Sequence, residues 1–123
     1  MKRSAVWGAI LLFALAGCGP SREELRNQAI SEFQVGKLDS AKSHLKEIVD
    51  RYPGDSVSLY YLGRVCHAEG RLEWALFYYQ CALTEDPGNA EAEVWRRRAE
   101  DEAGRTGRAL RILPNGNQPS PPP

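Results

Sequence analysis

The sequence predicts an all-α protein: a short α-solenoid of antiparallel helix hairpins, about two and a half repeats long, following a leader that is cleaved off. Three observations carry this. Residues recur at a fixed offset of 34: Leu25 with Leu59, Ala29 with Gly63, Gly36 with Gly70, Lys37 with Arg71, Ala41 with Ala75, and Pro53-Gly54 with Pro87-Gly88. Within each copy the apolar residues fall three and four apart, the spacing of one helix face. Glycine and proline stand between those stretches, where a helix ends. With 16 Lys+Arg against 16 Asp+Glu the formal charge is zero, which excludes a strongly basic nucleic-acid binder. At 42% hydrophobic and 26% charged residues, the composition suits one folded domain.

Residues 1–17 read as an address. Met1-Lys2-Arg3 precedes a twelve-residue apolar run from Ala5 to Ala16. As a helix that run rises about 18 Å, short of a hydrocarbon core of about 30 Å. A cationic start, a short apolar run and small residues at its end describe a secretory signal peptide. The run closes on Leu15-Ala16-Gly17-Cys18, which resembles the lipobox of bacterial lipoprotein signals. That resemblance implies cleavage before Cys18, a diacylglycerol on its sulfur, and acylation (palmitate or a similar chain) of the new amino terminus. Several acyl chains anchor a protein stably without spanning the bilayer. The mature chain, 18–123, lacks Lys2 and Arg3 and carries a net charge of −2. Gly19 stands where enterobacterial lipoproteins kept at the inner membrane resemble one another in carrying Asp. The expected location is therefore the bacterial cell envelope, at the outer membrane and facing the periplasm if the cell has two membranes. Residues 18–20 form the lipidated cysteine and a short tether.

The first repeat, 21–54, opens with Ser21-Arg22-Glu23-Glu24, a capping box. Leu25, Ala29 and Phe33 line one helix face, Gly36 ends that helix, and Leu38, Ala41, Leu45, Ile48, Val49 and Tyr52 continue on a second. Pro53-Gly54 stops the second helix. The repeat at 55–88 follows the same plan with Leu59, Leu62, Gly63 and Cys66, then Gly70, then Leu72, Ala75, Leu76, Tyr79, Ala82 and Leu83. Small residues at Ala29/Gly63 and Ala41/Ala75 let the two helices of a hairpin approach closely. Residues 89–113 read as a degenerate third repeat or capping helix: Asn89 is a good N-cap for a helix over 90–103, but Arg96-Arg97-Arg98 stands where the second copy has Leu62-Gly63-Arg64. Residues 114–123, Pro-Asn-Gly-Asn-Gln-Pro-Ser-Pro-Pro-Pro, have almost nothing to bury and read as a disordered, proline-rich tail.

Leu59, Leu62-Gly63, Gly70, Ala75, Tyr79, Ala82 and Pro87, with their counterparts 34 residues earlier, resemble the tetratricopeptide repeat (TPR). The family's usual tryptophan is Leu59 here and its usual tyrosine is Cys66. The resemblance implies a concave face, lined by the first helix of each repeat, that grips an extended or helical segment of a protein partner. Carried over, that face comprises Arg26, Ile30 and Phe33, then Tyr60, Arg64 and His67, then Val94, Arg98 and Asp101. Arg64 and Arg98 stand 34 apart and suggest an acidic group or chain terminus in the partner. Arg96, Arg97, Arg98, Arg105, Arg108 and Arg111 form a mildly basic end, read as the solvated charges of a capping helix.

Chemistry finds little footing. Cys66 and His67 are adjacent and point about 100° apart on a helix, with no further ligand one turn on, so no metal is expected. His44 falls on the solvent side of its helix. Cys66 matches a core position and Cys81 an outer one, so free thiols are favoured over a disulfide. There is no nucleophile elbow, phosphate loop or His/carboxylate cluster, so neither catalytic residues nor a cofactor are expected. The expectation is a non-enzymatic, membrane-anchored TPR lipoprotein: an adaptor or scaffold for a protein partner in a cell-envelope assembly. The alternatives are a self-associating structural protein, a homo-oligomer covering its exposed repeat edge, and thiol redox chemistry through Cys66 and Cys81.

Overall fold

The computed structural model describes residues 19–106. The expected signal peptide (1–17), Cys18, residues 107–113 and the expected disordered tail (114–123) lie outside the described residues. Five helices follow one another: α1 (Arg22–Gln34), α2 (Leu38–Arg51), α3 (Ser56–Ala68), α4 (Leu72–Glu85) and α5 (Ala90–Arg105). The described residues contain no strand, and the protein is all-α. The bounds of α1 and α2 shifted by 34 are the bounds of α3 and α4, so the sequence recurrence is also a recurrence of structure. Packing is densest within the pairs α1–α2 and α3–α4; α2 lies against α3, and α5 against α4.

The two hairpin turns are built alike. Gly36 and Gly70 adopt φ of +84° and +75°, a region closed to most side chains. The next amide reaches back over the helix end: Lys37 N–H donates to Glu32 C=O at 2.8 Å, and Arg71 N–H to Cys66 C=O at 2.9 Å. These bonds satisfy carbonyls that a helix end leaves open. The helices that open each repeat carry side-chain caps. Ser21 Oγ accepts from Glu24 N–H at 3.2 Å while Ser21 N–H donates to the Glu24 carboxylate at 2.8 Å, completing the capping box. Asp55 accepts from Ser58 N–H at 3.0 Å, and Asn89 from Ala92 N–H at 3.1 Å.

Hairpin closure rests on size matching. Ala29 and Ala41 are fully buried beside Leu45 in the first hairpin. In the second, a Cβ added at Gly63 would lie 2.4 Å from Tyr79 Cε1, so the larger ring fits only because its neighbour has no side chain. The recurrence stops at α5. Gly104, the counterpart of Gly70, has no positive φ, and the helix runs past it to Arg105. Ala92, Ala99 and Ala103 bury against α4. Where Leu59, Gly63 and Cys66 would take a partner helix, α5 carries Glu93, Arg97 and Glu100. Glu93 pairs with Arg96 at 3.0 Å and Arg97 at 2.8 Å, and Arg96 also binds Glu100. Two of the three arginines of the basic triplet are thus neutralised within the helix. His44 differs from its wheel position: it is half-buried, 2.7 Å from Glu32 Oε2. A wheel drawn for α2 alone leaves out the carboxylate that α1 supplies.

Candidate functional site: an aromatic cleft around Arg64

The helices that open each segment, α1, α3 and α5, together line a depression of about 170 Å³. Phe33 from α1, Arg64, His67 and Ala68 from α3, and Trp95 from α5 form its walls. Each wall residue is held from behind. Phe33 packs edge-on to Tyr61 with centroids 5.8 Å apart. The His67 ring stands perpendicular to Trp95 at 5.4 Å, with Nδ1 3.2 Å from the Tyr79 hydroxyl and Nε2 2.7 Å from Glu102 Oε2. That second contact ties α3 to α5.

Arg64 is the centre of the cleft. Its guanidinium carbon lies 3.5 Å from the Trp95 ring centroid, 5.2 Å from Phe33 and 5.8 Å from Tyr60. One N–H donates to the Tyr60 hydroxyl at 2.8 Å. Stacking on three rings fixes the plane of the guanidinium. Arg98 stands 4.4 Å from the centroid of the same Trp95 ring. Neither Arg64 nor Arg98 forms an ion pair with another described residue; Arg98 is exposed and Arg64 half-buried. The arrangement can accept a planar anionic group against Arg64 and an apolar side chain between Phe33 and Trp95.

Of the residues expected on the concave face, Phe33, Arg64 and His67 come together here, and Arg98 joins them through Trp95. Tyr60 lies just behind, only 4% exposed; burial raises its hydroxyl pKa despite the Arg64 hydrogen bond. It supports Arg64 and offers little surface of its own. Arg26 is drawn away to Asp55, 3.0 Å distant at the N-cap of α3. Ile30 is half-buried and outside the lining; Val94 is 57% exposed and Asp101 exposed, also outside it. Trp95 was missed. It lies 34 after Tyr61, and that shared aromatic place, which the carried-over positions do not include, was the signal for it.

The thiols are unsuited to thiolate chemistry. Cys66 and Cys81 are both free. Burial pushes Cys66 up to about 11 and raises Cys81 as well, so both stay protonated at neutral pH. Among the described residues no group of three or more His, Cys, Asp or Glu side chains is placed to hold a metal ion, and no helix is long and apolar enough to cross a membrane. Compared with known proteins, the chain matches no family model and no curated sequence.

Proposed function

We propose that this chain is a non-enzymatic adaptor of tetratricopeptide type, held at the bacterial envelope by lipid on Cys18, that grips a protein partner in the cleft around Arg64. One observation carries the binding assignment. A half-buried arginine without an ion-pair partner among the described residues, its plane fixed by Trp95, lines a depression between two aromatic walls that three separate helices assemble. Arginine and aromatic side chains in a partly desolvated pocket are the usual composition of binding hot spots. The partner segment this chemistry recognises carries a carboxylate, from Asp, Glu or a chain terminus, next to an apolar side chain. The leader ending Leu15-Ala16-Gly17-Cys18 supports the anchor, and the two-residue tether Gly19-Pro20 would keep the cleft close to the membrane surface.

The test is crosslinking and capture from detergent-solubilised membranes, with the tagged wild-type chain beside an Arg64→Glu/Trp95→Ala variant whose helicity is checked by circular dichroism. A discrete protein captured by the wild type and lost with the variant is the expected result. Equal capture by both would remove the cleft from the reading.

A further inference from the structure

The outer face of α4 carries a second surface that shares no residue with the cleft. Leu72, Ala75, Leu76, Tyr79 and Ala82 bury the inner side of this helix. Along a flank of the helix Arg71, Trp74, Tyr78, Cys81 and Glu85 follow one another at alternating spacings of three and four, one continuous stripe of the kind that pairs helices. Phe77 flanks it, 5.5 Å from Trp74 and 5.4 Å from Tyr78 between ring centroids. These aromatics are half-buried, so part of each ring meets solvent. The buried sides of Trp74 and Tyr78 pack on the chain's own core, Tyr78 on that of both hairpins, and only the exposed remainder can meet a partner. The corresponding stripe on α2 is Lys37, Ser40, His44, Glu47 and Arg51, polar throughout, on a helix with the same bounds shifted by 34.

The ends of the α4 stripe differ in sign. Arg71 stands at one end and Glu85 at the other, each seven residues from Tyr78, and neither is ion-paired with another described residue. A stripe of this pattern is complementary to itself when reversed. We propose that α4 is a homodimer interface, paired antiparallel with α4 of a second copy about a twofold axis at Tyr78. In that register Arg71 meets Glu85 of the second copy, Trp74 meets its Cys81, and the Phe77–Tyr78 rings pack on their own counterparts. The parallel arrangement would set Arg71 against Arg71 and Glu85 against Glu85. Because α2 lacks the stripe, the described residues carry it once and the assembly closes at two.

The experiment measures the protein mass of the full chain in detergent by size-exclusion chromatography with light scattering. It compares wild type, Arg71→Glu, Glu85→Arg and the double reversal, each confirmed helical by circular dichroism. Arg71 makes no side-chain cap bond to α4, so its reversal leaves the helix start intact. Two chains are expected for wild type. Each single reversal sets like charges together twice per dimer and should weaken association by about tenfold or more; the double reversal should restore it. One chain throughout, a dimer indifferent to the reversals, or a double variant that fails to recover would each overturn the proposal.

Discussion

At the residue scale, the contact that decides the second hairpin is Gly63 against Tyr79. The same place in the first hairpin is Ala29 against Leu45, so volume is exchanged between facing positions from one copy to the next. A methyl group at Gly63 would sit 2.4 and 2.5 Å from two ring carbons of Tyr79 and 3.2 Å from the Ala75 carbonyl oxygen. The oxygen is backbone and the ring is wedged in the core, fully buried, so neither can give way cheaply. Gly63→Ala should cost about 1–3 kcal/mol by overpacking, more than the slight gain expected from removing a glycine inside a helix. Tyr79→Leu alone should also destabilise, because it opens a cavity and takes the hydroxyl from His67. Together the two changes recreate the pair of the first hairpin, and the double variant should lose clearly less than the sum of the singles. Urea denaturation of the four proteins measures this. Strictly additive losses would mean that the matched volumes are not coupled.

At the element scale, Asp55 joins the two hairpins. It caps α3 through Ser58 N–H and draws Arg26 and Arg22 of α1 towards it, at 3.0 and 3.7 Å, while its own side chain is 3% exposed. Ser21 plays the capping part alone, in solvent. Asp55→Ala should therefore cost about 2–4 kcal/mol: about 1 for the lost cap, and the rest for a charge-assisted bond whose arginine stays partly buried. Asp55→Asn keeps a cap oxygen and should cost about half as much, while Ser21→Ala should cost about 0.5–1 kcal/mol. Chemical denaturation that ranked Ser21→Ala equal to Asp55→Ala would show that the link to α1 adds nothing. The same residue explains what the sequence could and could not reveal about elements. Helix bounds other than the end of α5, which runs past Gly104, were legible because glycine, proline and cap residues act locally and recur at 34. The fate of Arg26 was not, since Asp55 lies 29 residues away and competes for it only once α1 rests on α3.

For the whole molecule, legibility follows the same line. Phe33, Arg64 and His67 could be placed on one face from their positions in the repeat, whereas Trp95 shares its place with Tyr61, which packs on Phe33 outside the lining, so the repeat marks an aromatic there without putting its ring under Arg64. That stacked construction also sets how the chain should open. Each hairpin touches only its neighbours, so stability is distributed along the stack. α3 buries seven residues, among them Leu62, Val65 and Cys66, and α4 buries five. α1 buries only Leu25 and Ala29, and α5 buries three alanines. Little apolar area is lost when an end helix detaches, whereas opening α3 breaks the buried core of both hairpins and opening α4 breaks that of the second. Amide hydrogen exchange should therefore be slowest in α3 and α4 and faster in α1 and α5, with the difference widening at low denaturant. Within α5 the faster amides should include those around Trp95, so detachment of this helix would open and close the Arg64 cleft. A partner seated there should slow exchange in α1 and α5 together, because it bridges Phe33 and Trp95. Uniform protection across all five helices would instead show a single cooperative unit, and the cleft would then be a rigid site that its partner finds already formed.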